Sequence, residues 1–163
     1  MARAEIKVSD HGYKRLLEKI GEARGQTLIR AGVFDGPPRD PERGATGPQP
    51  TNAEVAAINE FGLGHNPERS FLRATVDQEK GTIHDRLRHI GGTIFDFKSA
   101  SDIKTEAKLF GEWFVGRMKQ RIRDGIDPPD SPETIAEKGS STPLIDSGQF
   151  WSSLTYDVTQ GGR

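Results

Sequence analysis

The order of apolar and polar side chains predicts two strands, one near each end of the chain. Residues 27–34 are rich in apolar and β-branched side chains, a composition that favours strands. In residues 154–158 apolar and polar side chains alternate, which is typical of a strand with one buried face. We expect these segments to pair as a small antiparallel sheet over residues 27–34 and 152–159. Residues 5–8 also alternate and predict a short edge strand.

One long helix is predicted between Asp102 and Gly125. Apolar side chains recur there with a period close to 3.6 residues, so one face of the helix should be buried. Trp113 flanks this face and is expected to widen the core. The predicted core positions are Ile103, Ala107, Phe110, Phe114, Met118 and Ile122.

Several shorter helices are predicted from their start and stop signals. Residues 10–20 follow the spacing of an amphipathic helix, and Asn52 should cap a second helix that ends before Gly62. Ser70 is placed to cap a third helix, which we expect the Gly91-Gly92 pair to interrupt.

The C-terminal fifth of the chain carries the clearest helix signals. Ser131 is a good N-cap and Pro132 suits the first helical position. The helix should therefore run to Lys138 and stop at Gly139. Residues 146–147 can open another short helical turn.

Residues 35–50 form the clearest loop of the sequence. Five of these sixteen residues are proline and three are glycine, and such a segment cannot bury enough apolar surface to order itself. Two interpretations are equally favoured. The loop is either a flexible insertion or an arm that becomes ordered against a neighbouring subunit or another protein.

Composition fits one α+β domain over residues 1–163, with residues 159–163 as a tail. In this fold a small antiparallel sheet packs against one long helix and several short helices. The chain is only 33% hydrophobic and holds 19 glycines and 10 prolines. We therefore expect an extended protein that is stabilised by its partners. The net charge of −1 gives no global attraction to nucleic acid or membranes.

The residue patterns point to no enzyme, metal site or cofactor. There are no cysteines, which excludes disulfides and thiolate zinc sites. His84 and His89 are five residues apart, so on a helix they point in different directions. The serine-rich segments lack the nucleophile elbow of hydrolases, and no phosphate-binding glycine loop is present. No apolar stretch is long enough for a membrane span, and the N-terminus lacks a signal-peptide core.

Two segments together resemble a known protein family. Residues 128–158 contain Pro-Pro-Asp-Ser-Pro-Glu-Thr-Ile, then Pro-Leu-Ile-Asp-Ser-Gly-Gln and Ser-Ser-Leu-Thr-Tyr-Asp-Val. Residues 52–76 contain Asn-Glu-Phe-Gly, a short loop, and Asn-Pro-Glu-Arg-Ser-Phe-Leu-Arg. In this order, both segments resemble the tail-completion, or neck, proteins of tailed bacteriophages, the gene-10-like and minor-tail-protein-Z-like group. Residues 1–50 carry no part of the resemblance.

The resemblance implies a structural protein of the virion, located in the neck and made in the host cytoplasm. It implies a ring, hexameric or dodecameric, that completes the head-proximal end of the tail. Its partners would be the tail tube or tail terminator protein on one side and the head stopper or adaptor protein on the other. The alternatives are a tail terminator, a minor capsid component, or a phage accessory protein outside the virion that binds nucleic acid.

Apolar side chains within the family-like segments are candidates for subunit contacts, because interfaces are enriched in aromatic residues. Glu60, Phe61 and Gly62 read as a helix C-cap with the phenyl ring tucked beneath it. Leu144 and Ile145 are expected in the core. The candidate interface residues are Phe61, Arg69, Phe71, Phe150 and Trp151.

A run of basic residues on the long helix is the candidate for contact with DNA in the ring lumen. At i, i+4 spacing Arg117 lies near Arg121, and Lys119 lies near Arg123. The two pairs flank the apolar stripe on opposite sides and form no single positive face. We therefore expect solvated basic residues that cover the core, and DNA that passes without specific binding.

Overall fold

A computed structural model describes residues 14, 15, 17, 18, 27–41, 46–96 and 99–160. Along the chain, five helices lie between two strands. The elements are β1 (Thr27–Val33), α1 (Asn52–Phe61), α2 (Arg73–Phe95), α3 (Ala100–Asp124), α4 (Pro132–Lys138), α5 (Gln149–Ser153) and β2 (Leu154–Gln160). The fold is α+β, as predicted: a two-stranded antiparallel sheet packed against a long helix and several shorter ones.

The sheet joins the two ends of the described chain. β1 and β2 pair over seven residues each, from Thr27 opposite Gln160 to Val33 opposite Leu154. This confirms the predicted pairing and shifts the second strand slightly toward the C-terminus. The strand therefore includes residue 160, where a tail was expected from residue 159.

Helix α3 provides the centre of the core and packs against both strands and α2. Its buried face follows the predicted stripe, although Ile103 and Phe110 are only partly buried. Trp113 packs beside the core, as expected. The buried apolar residues are Phe71, Ala107, Phe114, Val115, Met118, Ile122, Ile126, Phe150 and Leu154.

Helix α3 lies close against the sheet at Gly111. A Cβ atom at this position would lie 2.3 Å from Cδ2 of Tyr156. The Tyr156 hydroxyl donates to Glu112 at 2.9 Å and so holds the ring in place. Glycine is therefore required here because there is no room for a side chain, and not because of the backbone conformation.

The Gly111→Ala variant is expected to be less stable by about 1–3 kcal/mol, because the added methyl group forces α3 away from β2. Chemical denaturation followed by circular dichroism measures the loss. Gly116→Ala is the matched control, since a Cβ there meets nothing within 4 Å. Equal stability of the two variants would contradict the close packing described here.

Two helices have N-caps that precede the residues predicted, and each N-cap belongs to a capping box. Thr51, not Asn52, caps α1: its hydroxyl accepts from the Glu54 amide, and the Glu54 carboxylate accepts from the Thr51 amide. Ser99 and Asp102 form the same reciprocal pair at the start of α3. Each box satisfies backbone donors that a helix start leaves free.

Helix α2 continues through Gly91 and Gly92, so the predicted interruption is wrong. A glycine inside a helix costs about 1 kcal/mol relative to alanine, which weakens a helix without ending it. Thr93 is 1% exposed just beyond the pair, and its hydroxyl donates to the carbonyl of Ile90 at 2.6 Å. The helix thus continues past the two glycines to a buried side chain, Thr93.

The short C-terminal helices follow their local signals. Ser131 caps α4 and Gly139 ends it in the left-handed conformation, both as predicted. A helical turn also follows residues 146–147, but Gly148 occupies the N-cap of α5 and supplies no side-chain hydrogen bond.

The proline-rich loop is attached at its base. Arg39 donates its amide to the carbonyl of Pro50 at 3.0 Å, and Pro38 forms an isolated bridge with Thr51. Gln149 both accepts from the amide of Asp40 and donates to its carbonyl. The described ends of the loop are thus bound within the chain, and the choice between a flexible insertion and an arm stays a prediction. Residues 42–45 lie outside the described residues.

The N-terminal predictions are only partly covered. The predicted strand over residues 5–8 lies outside the described residues. Four positions of the predicted first helix are described, and all four are helical: Lys14, Arg15, Leu17 and Glu18.

Candidate functional site

The two segments that resemble neck proteins, residues 52–76 and 128–158, are the family-like segments, and they meet at Arg69. Its Nε donates to the carbonyl of Pro128 at 2.8 Å, and its Nη2 donates to the carbonyl of Pro129 at 3.1 Å. The same Nη2 lies 3.0 Å from Oδ1 of Asp130. One side chain from the first segment therefore binds three consecutive residues of the second.

Asp130 is shared between two cations. Its other carboxylate oxygen pairs with the ammonium of Lys138, which also donates to the carbonyl of Thr142 at 2.7 Å. The side chains of Arg69, Asp130 and Lys138 are 11%, 6% and 10% exposed. We call these three residues the buried triad. It fixes α4 and the following turn against the loop before α2.

Glu60 supplies a second polar junction at the start of α2. Its carboxylate accepts from the amides of Phe71, Leu72 and Arg73 at 2.8–2.9 Å, and from the Ser70 hydroxyl at 2.8 Å. A carboxylate near a helix N-terminus satisfies free donors and interacts favourably with the helix dipole. The last turn of α1 therefore caps the next helix.

The same contacts determine the protonation of Glu60. Burial on its own raises the pKa of this carboxyl group. The hydrogen bonds from the Leu72 and Arg73 amides, the Ser70 hydroxyl and the Phe71 amide outweigh burial, so the pKa of Glu60 lies below its usual value.

Gly62 ends α1 in the left-handed conformation at φ 62°, as the sequence predicted. A Cβ atom here would lie 2.8 Å from the backbone nitrogen of Glu68. Phe61 is not tucked beneath the cap: it is 55% exposed, with the Arg73 guanidinium 4.8 Å from its ring centroid. Leu63 is also exposed, so this turn presents two apolar side chains.

Three of the five predicted interface residues are inside the chain. Phe71 and Phe150 are 2% and 3% exposed, and their rings meet edge to face at 5.3 Å. They complete the core beside α3, and Arg69 belongs to the buried triad. Phe61 and the half-buried Trp151 remain accessible. Leu144 and Ile145 pack against the core, as expected.

The basic residues of α3 divide between two sides. Arg117 pairs with Glu79 at 2.6 Å, and Arg121 donates to the Ser70 carbonyl and to Gln78. On the other side Lys119 and Arg123 lie 5.8 and 5.4 Å from the ring centroid of Trp151. The four residues thus form no continuous positive face, in agreement with the helical spacing.

A groove of about 400 Å³ lies between α2 and α3, which run antiparallel. His89 is 3.8 Å from Glu106 within this groove, and Leu109 is 50% exposed. Among the described residues, no group of three or more His, Asp or Glu side chains could hold a metal ion. No helix within the described ranges is long and apolar enough to cross a membrane.

Comparisons with known proteins gave no match among protein-family models, curated proteins or solved structures.

Sequence reasoning missed the three acidic and basic residues that matter most to these junctions: Glu60, Asp130 and Lys138. Glu60 and Lys138 were assigned to helix ends, where charged side chains are common. The partners of Glu60 lie at the start of the next helix, and those of Lys138 lie in the loops on either side of α4. No local pattern indicates such contacts. The available signal was the position of all three within the family-like segments.

Proposed function

We propose that this protein is a structural component of the head–tail connector of a tailed bacteriophage. It forms a ring, hexameric or dodecameric, that completes the head-proximal end of the tail. The ring caps the tail tube or tail terminator and provides the docking surface for the head stopper or adaptor. DNA passes through the lumen without specific binding.

The observation that carries this proposal is the junction between the two family-like segments. Both segments resemble neck proteins in sequence, and their residues form one connected unit around the buried triad and Glu60. Motif residues that hold one another in place fit a scaffold, because a fully satisfied polar network makes the unit rigid.

The exposed apolar side chains add support. Phe61 and Leu63 on the turn after α1 are 55% and 48% exposed, and Leu28 on the sheet is 52% exposed. Such residues are suited to contacts with other proteins. The divided basic residues of α3 favour this function over the nucleic-acid-binding alternative, which needs a continuous positive surface.

Quantitative mass spectrometry of purified virions, calibrated against the portal protein, tests the proposal. A copy number that matches a hexameric or dodecameric ring is the expected result. Absence from mature virions would overturn it and point to an assembly factor or an accessory protein. A position at the tail end without contact to the head proteins would instead support the tail-terminator alternative.

The Lys119→Glu/Arg123→Glu variant tests whether DNA is bound. We expect normal assembly and DNA packaging, with a loss of about 1–2 kcal/mol in unfolding free energy from the contacts with Trp151. Virion yield and denaturation curves measure these effects, with the exposed Lys108→Glu as control. Failed packaging in particles with intact necks would contradict passage of DNA without specific contacts.

A further inference from the structure

The sheet has two open edges in the part of the chain that the structure describes. β1 and β2 pair only with each other, so each seven-residue strand leaves alternate N–H and C=O groups on its outer side. A two-stranded sheet is marginal by itself and gains stability from further strands or a packed helix. Here α3 covers one face, and no other described strand pairs with either edge.

The strands lack the usual protection against edge pairing. Neither contains proline or lysine, and each carries one charged residue, Arg30 in β1 and Asp157 in β2. These two side chains pair with each other at 2.6 Å on the outer face. Natural edges are commonly blocked by prolines, lysines, bulges or short length, and these strands have a regular seven-residue register.

The register that joins β1 to β2 within the chain can be repeated at the outer edge of β1. In an antiparallel pair, alternate residues direct both backbone groups to the partner strand, and the residues between them direct theirs outward. The two strands pair residue by residue. The residues of β1 whose backbone groups point outward therefore lie opposite the residues of β2 whose backbone groups point outward. A second β2 can therefore bind the outer edge of β1 in the same register.

We propose that β1 of one copy pairs with β2 of the neighbouring copy, antiparallel and in the register that joins them within one chain. Arg30 would then lie beside a second Asp157, and the exposed Leu28 beside Thr159 of the neighbouring copy. The inference deepens the proposed function by naming the ring interface, and it rests on that function for a closed ring.

The choice of strands determines the symmetry. Pairing of β1 with β2 uses two different surfaces, so it is a head-to-tail contact that propagates from copy to copy and forms a ring where the rotation between copies closes. Pairing of β1 with β1, or β2 with β2, would give a two-fold dimer that stops there. The proposal therefore requires contact between unlike strands.

Cysteine cross-linking tests this interface in a chain that contains no cysteine. Leu28→Cys and Thr159→Cys are made in separate chains, because both positions are exposed and oppose each other. The chains are mixed at high concentration, oxidised and analysed without reductant. Disulfides need Cα atoms about 4.4–6.8 Å apart, which adjacent strands satisfy and next-nearest strands, about 10 Å apart, do not.

We expect a covalent dimer at twice the 17.9 kDa chain mass in the mixture and not in either variant alone. The control mixture replaces Leu28→Cys with Asp77→Cys on α2, and the dimer should be at least about ten-fold weaker there because the disulfide geometry is not met. A dimer in Leu28→Cys alone would show two-fold pairing and overturn the inference. No dimer in the mixture would overturn the inference as well.

The outcome is separable from that of the proposed function. Virion copy number reports whether the protein belongs to the neck, whatever strands form the interface. The cross-link reports the strand contact, whether or not the protein enters a virion. If the protein is found in virions but the cross-link does not form, the proposed function stands and the proposed interface is wrong.

Discussion

The Asp130→Ala variant is expected to lose about 3–5 kcal/mol of unfolding free energy, because it leaves two buried cations without their shared anion. Arg69 retains its bonds to the Pro128 and Pro129 carbonyls, and Lys138 retains those to Thr142 and Ile145. These carbonyls do not neutralise the charges. Urea denaturation followed by circular dichroism measures the loss.

Asp157→Ala is the matched control, because it removes an aspartate from an exposed ion pair with Arg30. A loss of about 0–1 kcal/mol is expected there. Arg69→Met/Asp130→Leu/Lys138→Met removes all three charges together and should recover much of the loss, since apolar replacement of a buried ion cluster is often neutral or stabilising. Equal stability of Asp130→Ala and the control would show that the triad is not desolvated.

The Glu60→Ala variant is expected to lose about 3 kcal/mol, the second largest effect. It leaves the amides of Phe71, Leu72 and Arg73 without their acceptor, and each buried unsatisfied group costs about 1–3 kcal/mol when water cannot replace the bond. Glu60→Gln keeps one acceptor oxygen and should lose less. Thr51→Ala, which removes an exposed cap of α1, is the control and should cost about 1 kcal/mol.

The stability supplied by Glu60 also depends on pH. Its pKa is lower in the folded protein than in the unfolded chain, despite burial, because four hydrogen bonds favour the carboxylate. The contribution is therefore complete above the unfolded-state pKa and is lost as the pH falls through the folded-state pKa. We expect the stability difference between wild type and Glu60→Gln to shrink on acidification. A difference that stays constant would contradict this linkage.

Features set by neighbouring residues were predictable from the sequence. Ser131, Pro132 and Gly139 define α4 by local backbone chemistry. The alternation in residues 154–158 identified β2, and the 3.6-residue period identified the buried face of α3. Each of these signals acts within one element, so no knowledge of the packing was needed.

Features that depend on distant residues were not predictable. Gly91 and Gly92 indicate a helix break by propensity, yet α2 continues beyond them to Phe95. Phe71 and Phe150 suggested an interface because aromatic residues in polar segments are common there, but each buries the other. Arg69 and Asp130 lie on separate segments, and only the folded chain shows that they form an ion pair.

The pairing of β1 with β2 has a consequence for synthesis. β1 is synthesised before helices α1–α5, and its partner strand, which begins at Leu154, is synthesised only after them. Contacts between such distant segments form slowly, because the intervening chain must first be ordered. A chain interrupted before Leu154 lacks β2, so its β1 has no partner strand and the sheet cannot form within that chain.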